Sequence, residues 1–225
     1  MTRPPRRDPS AEELATRPEQ TELADEVEDA YVEGTRPLVP GTARSAFSHP
    51  TFRTVYLGAF ASNIGTWMQN VVLGALAYNL TGSAVFVGIM TAAQLGPLLL
   101  FSMVGGMLAD AFDRKKLLVA LSVQQALFSL ALAVVTVPED PNRVAMVAVV
   151  LCIGVGNALY APAFSAVVPV LVPRRDMSGA ISLNSVQMNA SRVVGPAIGT
   201  TIYASFGPSW VFVVNAVSFA FVIAS

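Results

Sequence analysis

Thiols, imidazoles and charges are all scarce in this sequence, and each shortage removes a class of chemistry. Cys152 is the only cysteine and lies in an apolar run, so neither an intramolecular disulfide nor a thiolate metal cluster can form within the chain. His49 is the only histidine; it stands in a Ser48-His49-Pro50 step just ahead of a helical stretch and reads as a solvated or interfacial side chain. With no Cys/His cluster, no Gly-x-Ser-x-Gly and no Walker-type loop, the sequence offers no constellation for covalent, metal or phosphoryl chemistry. No metal site, no cofactor and no enzymatic activity are expected. Charged residues make up only 13% of the 225 positions and the net charge is −1. No basic cluster alternates with aromatics as a nucleic-acid groove requires, so no polynucleotide partner is expected.

What the sequence has in excess is apolar surface. It is 53% hydrophobic with a mean hydropathy of +0.56, a composition that points to lipid rather than water. The few charges are unevenly spread. Residues 1–53 hold seven Arg and ten Asp or Glu of the 29 charged residues. The stretch from Met1 to about Phe47 is rich in Pro, Glu, Arg and Thr and cannot bury enough apolar surface to offset chain entropy. Residues 1–50 are therefore expected to be a disordered cytoplasmic tail. Arg3, Arg6 and Arg7 are followed by acidic, polar sequence rather than an apolar core, so the first hydrophobic helix must act as its own insertion signal.

A bilayer core about 30 Å thick needs roughly 20 apolar residues per spanning helix. Residues 51–225 supply such runs at about 55–78, 85–108, 117–137, 144–168, 180–205 and 210–225. The breaks between them hold turn and breaker residues, among them Gly82, Pro138, Pro169, Gly207 and Pro208. Backbone in lipid must satisfy its own hydrogen bonds, so the runs predict helices. The last run is short for a span and lacks a basic flank, which predicts a chain cut inside its sixth helix. Orientation follows from the short loops. The second and fourth breaks carry Arg114, Lys115, Lys116, Arg174 and Arg175, whereas the first, third and fifth carry only Arg143, which places the amino terminus in the cytoplasm.

Polar residues at membrane depth are costly unless they face protein or a wet cavity. In the first run Asn63, Trp67, Asn70 and Gly74 fall on one helical stripe while Gln69 lies off it. The stripe fits either the lining of a solute path or interhelical hydrogen bonding and close packing. In the fifth run Ser185, Asn189, Arg192, Pro196 and Gly199 share a face, with Gly195 beside it. Arg192 is the only charge well inside any run; it suits an anionic or polar substrate, or a structural clamp to carbonyls or to Asp110. Gly195, Pro196 and Gly199 combine a small-xxx-small step with a proline that frees a carbonyl, a spacing suited to a hinge. Gly154, Asn157, Ala161, Pro162 and Tyr160 in the fourth run, and Gln94 and Pro97 in the second, give weaker versions that fit packing or cavity exposure.

The second break reads Gly106-Met107-Leu108-Ala109-Asp110-Ala111-Phe112-Asp113-Arg114-Lys115-Lys116. It resembles the loop between helices two and three of the major facilitator superfamily, whose pattern is Gly-x-Leu-Ala-Asp-Arg-x-Gly-Arg-Arg/Lys. Gly106, Leu108, Asp110, Arg114 and Lys115 match; Ala111 replaces a basic residue and Asp113 a glycine. Asp-x-Phe-Asp-Arg is similar to the form in the exporter branch that holds the enterobactin exporter and the macrolide efflux proteins. Asn63 to Gln69, Leu80 to Ser83, and Leu183 to Ser185 through Arg192 to Gly199 look like the same branch, and the likeness covers roughly residues 50–225.

The resemblance implies an all-α integral membrane fold: the amino-terminal six-helix bundle of a twelve-helix transporter in the cell membrane, its last helix incomplete. It implies export of a drug-like, macrolide or siderophore small molecule by cation antiport, most naturally of protons, with alternating access. The partners are then the substrate, the bilayer and a carboxy-terminal six-helix half. Gly106, Asp110, Arg114 and Lys115 would form a conformational latch, and Asn63, Trp67, Asn70, Gln94, Asn157, Asn189 and Arg192 the cavity. Gly195-Pro196 with Gly199 is similar to an element of the superfamily's antiporters. The arginine often present in helix four of proton-coupled drug exporters is absent, so their coupling scheme does not carry over. An inactive truncated half-transporter, or a membrane scaffold or sensor module, remains an alternative.

Overall fold

The computed structural model describes residues 38–111 and 113–224, and of residues 102–111 the backbone only. All regular structure among the described residues is helical: α1 (Ala43–Ser48), α2 (Pro50–Thr81), α3 (Ala84–Ala111), α4 (Arg114–Val135), α5 (Arg143–Leu171), a single 3-10 turn at Arg174–Asp176, α6 (Met177–Phe206) and α7 (Pro208–Ile223). Local chemistry sets the boundaries. Pro50 opens α2, where its missing N–H costs no helical bond, and Gly82 closes it in a left-handed conformation at φ +62°, which a residue with a Cβ adopts only at a cost. Asp113 and Asn142 cap α4 and α5 by accepting the backbone N–H of Lys116 and Ala145, satisfying donors that a helix start leaves free. Asp113, which stands where the family pattern has glycine, thus has a structural task of its own.

Among the described residues, three helices are long and apolar enough to cross a bilayer: α3 through Phe101, α4 and α5. Helix α7 is apolar but has 16 residues. Helices α2 and α6, with 32 and 30 residues, exceed the length needed but carry the polar stripes, which dilutes their hydropathy. Large apolar side chains such as Leu99, Val144 and Val193 stand more than 70% exposed, an arrangement unfavourable in water and natural against acyl chains.

The helices pair as α3 with α5, α4 with α7, and α2 with both α6 and α7, while α4 also meets α5. Two apolar clusters fill the interior. One, around Met68, Leu73, Met90, Leu132, Met146 and Phe212, lies along the second half of α2. The other, around Phe52, Tyr56, Leu118, Phe164 and Val168, lies at the start of α2 and takes in Ala46 of α1. Close backbone approach makes the pairing possible. At Gly154 a Cβ would stand 2.6 Å from the carbonyl oxygens of Ala93 and Gln94, and at Gly58 2.8 Å from that of Phe221.

Residues 43–48 lie in the stretch read from composition as tail, yet they form α1. Composition does not report the tertiary partner that holds them: Thr42 caps the helix through Ser45 N–H, and Gly41 and His49 are bound to Asp176, far along the chain. His49 is therefore a paired residue and not a freely solvated one.

Candidate functional site

Between α2, α5 and α6 lies a cavity of about 280 Å³, lined by Asn63 of α2, Asn157, Tyr160 and Phe164 of α5, and Asn184, Gln187 and Met188 of α6. Helical spacing brings these residues together: Asn184, Gln187 and Met188 recur at steps of three and four, and so do Asn157, Tyr160, Ala161 and Phe164. The wall is more apolar than polar, with the Tyr160 and Phe164 rings stacked at 6.2 Å.

The polar part of the wall is positioned by its neighbours. Gln125 of α4, itself 1% exposed, donates from Nε2 to Asn157 Oδ1 at 2.6 Å and to the Ile153 carbonyl at 3.3 Å. Gln187 Nε2 donates to Asn184 Oδ1 at 3.2 Å. Its Oε1 is buried with no hydrogen-bond partner among the described residues.

One turn further along α2 and α6, Arg192 lies over the Trp67 ring at 5.2 Å from its centroid. The guanidinium thus has an aromatic face as partner within a bundle that otherwise offers it little, and the Arg192 side chain remains exposed. Asn70 and Gln94, from α2 and α3, are joined directly by a hydrogen bond from Gln94 Nε2 to Asn70 Oδ1. Asn189 stands apart from the cavity and donates to the Ser185 carbonyl of its own helix.

The glycines of the expected hinge sit against α2. A Cβ at Gly195 would meet the Ile64 carbonyl oxygen at 2.8 Å and Trp67 Cβ at 2.7 Å, and one at Gly199 would meet Met68 Cα at 3.0 Å. Helix α6 runs through Pro196 without a break.

In the expected latch loop, Gly106 and Asp110 are described in backbone only, and the Asp110 carboxylate lies outside what is described. Arg114 Nη1 donates to the Ala166 carbonyl on α5 at 3.1 Å, close to Pro169, where the missing N–H loosens the helical ladder. Lys115 and Arg114 edge a second cavity of about 470 Å³ whose interior is made by Val55, Leu118, Val167 and Leu171.

Several polar contacts were not picked out from sequence. Gln69 Oε1 accepts from Ser129 Oγ at 3.0 Å and from Asn215 Nδ2 at 2.9 Å, and Asn215 Nδ2 also reaches Ser129 Oγ at 3.0 Å. All three residues are buried and tie α2, α4 and α7 together. At the α1 end, Asp176 is 1% exposed, with Oδ2 2.9 Å from His49 Nε2 and Oδ1 accepting Gly41 N–H at 3.0 Å. Burial alone would raise the Asp176 pKa, but the bonds from His49, Gly41 and Ser45 with the His49 charge outweigh it and hold the carboxyl below its ordinary range.

Comparison with known proteins places this geometry. The family of transmembrane secretion effectors matches over residues 41–225. The enterobactin exporter EntS of Salmonella choleraesuis (strain SC-B67) is 29% identical over 165 residues, 72% of this chain and 39% of that protein. The MFS-type transporter YfiS of Bacillus subtilis (strain 168) is 30% identical over 159 residues, 70% of this chain and 37% of that protein. The chain thus aligns with well under half the length of either relative. No solved structure gives a significant match. With the family match running from the α1 cap through α7, the chain belongs to the transmembrane secretion effectors of the major facilitator superfamily.

Proposed function

We propose that the chain forms the amino-terminal six-span bundle of a twelve-span exporter, in which two such bundles rock about a substrate held near the midplane. The observation that carries this reading is the cavity between α2, α5 and α6. A pocket with polar groups set in an apolar wall, inside a bundle whose outer surface is apolar, is what a solute path requires, and the resemblance to EntS supports export as its direction. The cargo is a small molecule of drug, macrolide or siderophore kind, exported in exchange for a cation, most simply a proton, that enters down its own gradient.

The basic residues Arg114, Lys115, Lys116, Arg174 and Arg175 support an orientation in the plasma membrane with the amino terminus in the cytoplasm. The loop of Gly106, Asp110, Arg114 and Lys115 acts as a latch that is made in one conformation and released in the other. Asn63, Trp67, Asn70, Gln94, Asn157, Asn189 and Arg192 line or flank the path, and Gly195, Pro196 and Gly199 let α6 move against α2.

The test is efflux from cells that lack their own exporters and express the coding sequence containing this chain. A panel of drugs, macrolides and siderophores should show reduced accumulation of at least one, and a protonophore should abolish the difference. Asp110→Asn should lower efflux more than it lowers the amount of folded protein. Unchanged accumulation across the panel would remove the exporter reading, and unchanged efflux by Asp110→Asn would remove the latch.

A further inference from the structure

We infer that the acidic segment of residues 8–33 docks in cis on the basic end of the helical bundle and serves as its counter-ion in place of anionic lipid headgroups. The inference concerns the surface around α1 and does not depend on the exporter reading.

Charge is segregated both along the chain and across the fold. Residues 8–33 hold ten carboxylates and a single arginine, Arg17. Seven cations gather at the end of the bundle where α1 lies: Arg44 of α1, Arg53 of α2, Arg114, Lys115 and Lys116 opening α4, and Arg174 and Arg175 of the 3-10 turn. All seven are exposed. Packing brings their elements to one end. Ala46, Phe52, Leu118, Val168 and Ala180 meet in one apolar cluster, and Thr51 of α2 borders the same cavity as Arg114 and Lys115. The acids described at this end are already committed. Asp113 accepts the Lys116 N–H as the cap of α4, and Asp176 is buried against His49 and Gly41. The ion pair among the described residues, His49 with Asp176, engages none of the seven cations.

The tether delivers the acidic segment to this surface. Gly41 donates its N–H to Asp176 and accepts Ser178 Oγ at its carbonyl, which pins the chain beside the turn that carries Arg174 and Arg175. Only residues 34–37 separate Glu33 from Leu38, a reach of at most about 18 Å, so the carboxylates start close to the cations. A single exposed ion pair contributes little. Many such pairs joined by a short tether act together, because the linkage raises the effective concentration of one partner about the other to about the millimolar range. Juxtamembrane cations otherwise draw anionic headgroups that lie within a Debye length. A polyanion attached at the same place competes with those headgroups at every encounter.

Lys115 and Lys116 are the only lysines in the chain, which makes zero-length carbodiimide coupling a direct test. In the full chain, reconstituted in nanodiscs containing phosphatidylglycerol, mass spectrometry should find amide links from Lys115 or Lys116 to carboxylates of residues 8–33. Raising the salt from about 0.1 M to about 1 M shortens the Debye length from about 10 Å to about 3 Å and should lower their yield severalfold. Arg174→Gln combined with Arg175→Gln leaves both lysines in place and should lower the yield severalfold as well, whereas Arg143→Gln at the other end should not. If the double variant folds poorly, the salt series on the unaltered chain decides. When 15N-labelled and unlabelled chains are mixed, the links should join residues of one isotope. Absence of links to residues 8–33 would overturn the inference. So would a yield indifferent to salt, a yield as high in the folded double variant as in the unaltered chain, or links between chains of different isotope. Links that form in phosphatidylcholine discs but vanish with phosphatidylglycerol would assign the surface to lipid headgroups and overturn it too.

Discussion

Asp176 Oδ2 lies 2.9 Å from His49 Nε2 although 127 positions separate the two residues in the chain. The contact fastens α1 and the start of α2 to the turn between α5 and α6, and Ser178 Oγ adds a bond to the Gly41 carbonyl at 2.9 Å. Because the Asp176 pKa is held below its ordinary value, the unfolded chain binds the proton first as pH falls. The contribution of the carboxylate is complete above the ordinary carboxylate pKa and disappears as pH drops through the lowered one.

The protection of the 41–48 amides against hydrogen exchange, taken relative to the intrinsic rate at each pH, should therefore fall in acid. Asp176→Ala should lower that protection at neutral pH by the equivalent of about 1.5–3 kcal/mol, the range for hydrogen bonds to a charged group, and should flatten its acid dependence. Exchange unaltered by the substitution would show that packing of Ala46 and Phe47 holds α1 by itself.

The Gln69, Ser129 and Asn215 triangle makes a different prediction because its members satisfy one another away from water. Gln69→Leu leaves the donors of Ser129 and Asn215 without their shared acceptor and should destabilise by about 1–2 kcal/mol, between the 0.6 kcal/mol average for interhelical bonds in lipid and the cost of an orphaned polar group. Asn215→Leu should cost a similar amount. The double variant should cost less than the sum, since it removes both ends of the bond. Thermal unfolding in detergent measures all three, and strict additivity would show that the pair does not interact.

The glycine contacts between α2 and α6 predict an effect of size rather than polarity. Gly195→Ala places a methyl group 2.8 Å from the Ile64 carbonyl oxygen, and backbone cannot yield as a flexible side chain does. The cost should be about 1–3 kcal/mol, exceeding that of Gly199→Ala, whose contacts start at 3.0 Å. Equal unfolding temperatures for Gly195→Ala and the unaltered chain would mean that the two helices separate at no cost.

Periodicity and breakers made the helical class, and the residues that punctuate it, readable before any coordinates. Gly82 and Gly207 end helices because they alone tolerate the positive φ found there. The stripe arithmetic that grouped Asn63, Trp67 and Asn70 also explains Gln69, which was set aside for lying off the stripe. An off-stripe polar residue on a buried helix points to a different neighbour, here α4 and α7. Pairing of Asn70 with Gln94 and of Asn157 with Gln125 was not legible, because it depends on which helices are adjacent, and hydropathy carries no such information. The same limit hid His49 and Asp176. Each sits beside an apolar run as an ordinary loop residue, and only the fold brings them together.

Arg192 over Trp67 separates a structural from a functional role by magnitude. A cation–π contact at an exposed site contributes about 0.5–1 kcal/mol, too little for its loss to unfold a bundle held by two apolar clusters. Arg192→Ala should therefore leave the amount of folded protein, read by size-exclusion of a fluorescent fusion, near that of the unaltered chain. Transport of anionic or polar substrates should fall severalfold. Trp67→Phe keeps an aromatic face and should retain most activity, whereas Trp67→Leu removes the face and should resemble Arg192→Ala. If folded protein and transport decline in parallel for Arg192→Ala, the guanidinium is a clamp between α6 and α2. Its place one turn from the Asn63 and Met188 cavity would then reflect packing rather than the path of the solute.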